Sequence, residues 1–161
     1  MANFKMRGLD EYIERLERMT DDADEQIKRA VYVGAGIVAN EIHASLATIP
    51  THSDDQYGTS DKPLVGLTSS EKEDVINAFG IMKMRKEERF ICVKIGFGRR
   101  SRTKSKKYPF GIPNAALMRQ VESGSSYRRK TPVIRQATTR SKERALDAMQ
   151  RELEKQINMI M

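Results

Sequence analysis

From Leu9 onward, apolar and small residues recur at steps of three and four: Leu9, Ile13, Leu16, Ala23, Ile27, Ala30, Val31, Gly34, Ile37, Val38, Ile42 and Leu46. That spacing draws one stripe along a helix. Unbroken to Ala47, the helix would be about 58 Å long at a rise of about 1.5 Å per residue, longer than a globule of this size is wide. Thr20-Asp21-Asp22 supplies a capping side chain and acidic residues suited to a new helix start. The stripe therefore fits one helix or two in series. Gly34, Ala35, Gly36 and Ala39 stand where bulky side chains would be expected, which permits close approach by another element, in the core or in a neighbouring subunit.

Pro50 ends this stretch, and 51–67 is polar, with Gly58, Pro63 and Gly66 and little periodicity. Loops of this length inside a compact domain are usually functional or disordered. Thr68-Ser69-Ser70-Glu71 is a capping-box pattern, and Val75, Ile76 and Phe79 share a face before Gly80 acts as a stop, which predicts a helix over about 70–79. Ile81–Arg85 and Phe90–Phe97 flank the polar Lys86-Glu87-Glu88. The second run alternates Ile91, Val93, Ile95 and Phe97, the pattern of a β-hairpin with one buried side.

Arg99, Arg100, Arg102, Lys104, Lys106 and Lys107 follow with no acidic residue among them, which reads as a flexible basic loop within a long connection at 98–109. Ile112–Glu122 reads as a helix opened by Pro113 and closed near Gly124. A second basic patch, Arg128-Arg129-Lys130, leads to Thr131-Pro132, a cap residue and a first-turn proline. Ile134, Ala137, Ser141, Ala145, Met149, Leu153, Ile157 and Ile160 then keep helical spacing to the end. Helix, helix, hairpin, helix, helix implies an α+β fold of one domain over 1–161, with the long N- and C-terminal helices covering one face of a small antiparallel sheet.

Composition narrows the function classes. The 161 residues are 39% hydrophobic and 32% charged, and mean hydropathy is -0.61, so the expected core is thin and the wet surface large. Aromatics make up 6% with no Trp, which argues against an aromatic-lined small-molecule pocket. The nine Met residues favour adaptable packing. A net charge of +7 and a pI near 9.6 suit DNA, RNA, anionic lipid or an acidic protein face. The single Cys92 excludes an internal disulfide and a cysteine metal cluster, making the cytoplasm the default compartment. Neither a signal-peptide run nor a membrane-length apolar stretch is present, so no membrane attachment is expected.

Candidate chemistry is sparse. His43 and His52, the latter beside Ser53-Asp54-Asp55, match no metal-ligand spacing. Cys92, expected mid-strand, reads as a small hydrophobe. Gly96-Phe97-Gly98 precedes a basic loop and not the helix a phosphate-binding turn requires. The acidic groups Asp21-Asp22 with Asp24-Glu25, and Glu71 with Glu73-Asp74, fall at expected helix starts, where the dipole accounts for them. No catalytic set, cofactor or metal is implied, and the expectation is a protein that is not an enzyme. The two basic patches stand above this background, as surfaces for nucleic acid or an acidic protein, or as solvated loops. Tyr108 and Tyr127 beside them are too few for a base-stacking platform.

Three segments, Tyr108-Pro109-Phe110-Gly111-Ile112-Pro113-Asn114-Ala115-Ala116-Leu117, Val121-Glu122-Ser123-Gly124-Ser125 and Thr131-Pro132-Val133-Ile134-Arg135-Gln136-Ala137, together resemble the tail-completion (neck) family of long-tailed double-stranded DNA phages and prophages. In that family a helix ends in Glu-x-Gly-Thr, and a short basic or proline-bearing link leads to a Pro-Phe-(Leu or Ile)-Arg-Pro-Ala opening of the last helix. The counterparts are Glu122–Ser125 and Pro132–Ala137, with Ser125 in place of Thr, Val133 of Phe and Gln136 of the second Pro. The amphipathic helix beginning near Gly8-Leu9-Asp10 extends the likeness to about residues 8–160. The resemblance implies a ring homo-oligomer, a hexamer, at the head-tail junction or the top of the tail tube. Its implied partners are the connector or head-closure protein above and tail terminator or tail tube proteins below, with DNA passing through the channel and the host cytoplasm as the site of assembly. The alternative is a small basic DNA-binding or packaging-associated protein. The candidate interaction surface comprises Arg99, Arg100, Arg102, Lys104, Lys106, Lys107, Glu122, Arg128, Arg129, Lys130 and Arg135, carried on or beside the segments 51–67, 99–107 and 122–135.

Overall fold

The computed structural model describes residues 9–86 and 91–160. The turn expected at Lys86-Glu87-Glu88 runs beyond the described residues after Lys86, and Phe90 lies outside them. The side chains of 9–22, and of Ile157 and Ile160 at the far end of the last stripe, also lie outside them.

The first stripe forms a single helix, α1 (Leu9–Ala47), without a break at Thr20-Asp21-Asp22. The acidic residues of that region therefore sit inside a helix and not at its start. Asp24 pairs with Lys86 of the hairpin, and Glu25 pairs with Lys28 one turn on at 2.7 Å. The hydrogen bond from Lys28 and its charge hold the Glu25 carboxyl below its ordinary pKa. Three residues before Pro50, α1 ends, and the ammonium of Lys72 donates to the carbonyls of Ala47 and Ile49 (2.7 and 2.8 Å). A cation there satisfies helix-end acceptors and complements the dipole.

β1 (Thr51–His52) pairs in parallel with β2 (Leu67–Thr68), closing the polar 51–67 segment at its base. The closure is tight. Gly66 has φ +78°, and a Cβ there would stand 1.8 Å from the Pro50 carbonyl oxygen. A glycine is required on both counts.

α2 (Ser69–Ala78) starts with the expected capping box: Thr68 Oγ1 accepts from the Glu71 N–H, and the Glu71 carboxylate accepts from the Thr68 N–H. It stops one residue earlier than expected. Phe79 is already extended, and Gly80 continues into a strand instead of ending the helix. β3 (Phe79–Ile81) pairs antiparallel with β6 (Ile95–Phe97), and β4 (Arg85–Lys86) with β5 (Ile91–Cys92), so the hairpin exists but is divided into two short ladders. Cys92 ends β5, half-buried, opposite Arg85.

α3 (Asn114–Ser123) opens after Pro113 and closes on Gly124, whose φ is +78°. α4 (Val133–Ile160) follows. The fold is α+β, with one revision of its layering: α4 lies antiparallel along α1, whereas the hairpin rests mainly on α1 and α3. The small residues of α1 explain the approach. Gly34 is buried, and a Cβ on it would lie 2.1 Å from Met149 Cε, so the Met149 side chain occupies the room a side chain would need. Gly36 faces open space. Ile42, Leu46, Ile49, Leu67, Val75, Leu117, Met118, Val121 and Ala137 form the core cluster where α1, α2, α3 and the start of α4 meet.

Candidate interaction surfaces

The three segments expected to meet partners converge on the first turns of α2. Leu64 of the 51–67 segment bridges to Arg128; its N–H donates to the Tyr127 carbonyl at 2.9 Å, and its carbonyl accepts from Arg129 N–H at 2.7 Å. Arg128 is only 11% exposed, and its guanidinium reaches the Glu71 carboxylate (3.5 Å, 5% exposed) and the Gly66 carbonyl. Arg128 is therefore an internal strut. Removing either partner would leave a buried charge alone.

The 99–107 stretch is ordered by its own backbone. Ser101 is buried, its N–H donates to the Ile112 carbonyl at 2.8 Å, Ile112 N–H donates to Thr103 at 2.9 Å, and Arg100 bridges to Pro113. It is a closed loop and not the free tether its composition suggested. Arg102 does not belong to an open patch: it donates to Glu73 (2.5 Å) and Asp74 (2.9 Å), and its own N–H adds a 2.7 Å bond to Asp74. The hydrogen bond to Glu73, with both carboxylate charges, raises the Arg102 pKa above its ordinary value. Arg99 takes the left-handed conformation (φ 53°), and Arg100 donates to the Gly111 carbonyl. Arg99, Arg100, Lys104, Lys106 and Lys107 are exposed, and among the described residues none of them is in an ion pair. Phe110 beside them is 84% exposed.

Glu122 has a local task as well. Its carboxylate accepts from the N–H groups of Ile134 and Arg135, so the last turn of α3 caps the first turn of α4. Pro132, which stands one residue before α4 and not inside its first turn as expected, and Thr131, whose N–H donates to the Val121 carbonyl, complete that corner. Arg129, Lys130 and Arg135 are exposed.

One feature has no counterpart in the linear sequence. An open, mainly apolar cleft of about 360 Å³ lies between the hairpin, α3 and the start of α4, with Ile42 of α1 behind it. Phe79, Ile95, Phe97, Met118 and Ile134 line it, and the Phe79 and Phe97 rings pack at 5.3 Å. Ala115 and Arg119 form part of its rim. The alternation of Ile95 and Phe97 marked a buried face, but not that four elements would leave part of it open.

Among the described residues no group of three or more His, Cys, Asp or Glu could hold a metal ion. His52 Nδ1 lies 3.1 Å from the Ser53 carbonyl oxygen, and Asp54 and Asp55 are exposed. Family models, curated proteins and solved structures were each compared with the chain. None matches it. Among the described residues no helix is long and apolar enough to cross a membrane.

Proposed function

We propose that the protein is a structural component of a tailed phage particle, a neck or tail-completion subunit that forms a ring at the head-tail junction or the top of the tail tube. The observation that carries this reading is the run from Tyr108 to Ala137, where the resemblance to the tail-completion family is concentrated. Its motif residues have a definite task in the fold: Glu122 ties α3 to α4 through Ile134 and Arg135. The same corner anchors the 51–67 segment through Leu64, leaving exposed loops on a braced frame, an arrangement suited to contacts with several neighbours. The reading is of an assembly role without catalysis. Tagging the protein in cells that produce particles, then analysing purified particles for it, tests this directly. Recovery at a fixed copy number per particle supports the role. A folded protein that never enters particles or tails defeats it.

The five exposed cations of the 99–107 loop, with Arg129 and Lys130, favour a second reading, contact with duplex DNA. Phosphate contacts of that kind are blind to sequence and weaken steeply with salt. Under that reading, replacing Arg99, Arg100, Lys104, Lys106 and Lys107 by Ala lowers duplex affinity and flattens its salt dependence. Unchanged affinity rules the loop out as the contact.

A further inference from the structure

Two exposed tips of opposite charge leave the frame on either side of α2. Residues 53–61 hold three carboxylates and no cation. The Gln56 N–H donates to the Ser53 carbonyl at 3.2 Å, which puts Asp54 and Asp55 at the centre of a tight turn. A second turn, closed by the Thr59 N–H on the Lys62 carbonyl at 3.1 Å, carries Asp61. All three carboxylates are exposed, and Tyr57 between the turns is 88% exposed. The basic loop ends in the same way. Ser105 and Tyr108 exchange N–H to carbonyl bonds of 3.2 and 3.0 Å, so Lys106 and Lys107 stand at the centre of its tip. Arg99, Arg100 and Lys104 are exposed behind them, and Phe110 is 84% exposed alongside.

We infer that the basic 99–110 loop of one copy docks on the acidic 53–61 turns of a second copy. The charges are complementary, pair against pair at the two tips, with Asp61 facing the remaining cations. Single exposed ion pairs add little, but each tip also carries an exposed aromatic, the residue class enriched where interfaces are fully buried, and Tyr57 offers its ring face to a guanidinium or ammonium. Lys62, Arg129 and Lys130 flank the base of the acidic segment, which confines the attraction to its tips. Duplex DNA would engage the cations alone and leave Asp54, Asp55 and Tyr57 without a part; a second copy engages both sets.

The two tips are held apart within one chain. Arg128, which braces the acidic segment through the Gly66 carbonyl, reaches α2 at Glu71, whereas Arg102 braces the basic loop at Ser70, Glu73 and Asp74. At about 3.6 residues per turn, Glu73 lies about 200° around the helix from Glu71, so the loops depart from opposite flanks. Among the described residues no ion pair joins them. Different patches on opposite flanks make the contact head-to-tail, the kind that closes into rings. In expecting closure the inference rests on the ring reading above.

The test uses the full chain in two charge-reversed forms, Asp54→Lys with Asp55→Lys, and Lys106→Glu with Lys107→Glu. All four positions are exposed turn centres, and circular dichroism is expected to show unchanged helix content. Native mass is measured by light scattering. Wild type is expected to assemble and to lose mass as salt rises. Each reversed form alone is expected to be monomeric, because its two tips then carry the same sign. Mixing the two, or combining all four substitutions in one chain, restores opposite signs and is expected to restore assembly. A monomeric wild type, assembly indifferent to either reversal, or a four-substitution chain that stays monomeric would each overturn the contact. A monomeric wild type that binds duplex DNA and loses it on Lys106→Glu with Lys107→Glu would assign the loop to DNA instead. Assembly that follows the expected pattern in a protein that never enters particles would leave the contact standing and remove the virion role; particle entry by a monomeric protein would do the reverse.

Discussion

The seam between α1 and α4 and the polar knot around the start of α2 hold the molecule by different means. Along the seam, small residues let two long helices approach, and the gain comes from removing apolar surface from water, spread over many weak contacts. In the knot, a few charged groups decide the outcome: Arg128 with Glu71 inside, and Arg102 with Glu73 and Asp74 outside. The two arginines also differ from each other. Arg128 is desolvated and has no water to fall back on, whereas Arg102 is 61% exposed and can exchange its partners for solvent. Burial, more than the number of hydrogen bonds, therefore sets the cost of losing each.

Denaturant unfolding would break or sharpen that contrast. The largest loss is expected for Arg128→Met, about 4 kcal/mol, because Glu71 stays buried without a counter-charge. Adding Glu71→Gln should recover part of it. Next comes Leu46→Ala in the core cluster, at about 3 kcal/mol from lost transfer energy and the cavity left behind. A larger loss for Leu46→Ala than for Arg128→Met would reverse the comparison. Gly34→Ala is expected to cost about 1 kcal/mol, since displacement of the flexible Met149 side chain outweighs the gain in helix propensity. Met149→Ala should then be less damaging in that background than in wild type. Arg102→Ala comes last, with no resolvable shift of the midpoint. A clear shift would mean that the outer pairs act as a network.

Where the signals are local, the sequence is legible. Thr68 and Glu71 form their capping box, Pro113 and Gly124 bound α3, and the spacing from Ile134 onward gives α4. Thr20-Asp21-Asp22 is also a local start signal, yet α1 runs through it, because the apolar spacing continues across it and Asp24 and Glu25 find partners on the helix flank. The spacing puts Phe79 on the helical face, yet it begins a strand, where pairing with Phe97 outweighs Gly80 as a stop. The candidate surface is legible only in outline. All three segments do come together, but Arg128 meets Glu71 across 57 positions and Arg102 meets Glu73 across 29, and composition cannot separate such committed cations from free ones. The cleft is invisible to linear reading because four elements must pack before it exists.

Glu41 on α1 bonds Arg144 on α4 across 103 positions of sequence. During synthesis, α1 therefore leaves the ribosome long before the helix that covers it, and Ile42 and Leu46 wait until Ala137 and its neighbours arrive. Closure of this seam waits until α4 has emerged, and chaperones that shield apolar helices have a long window on α1.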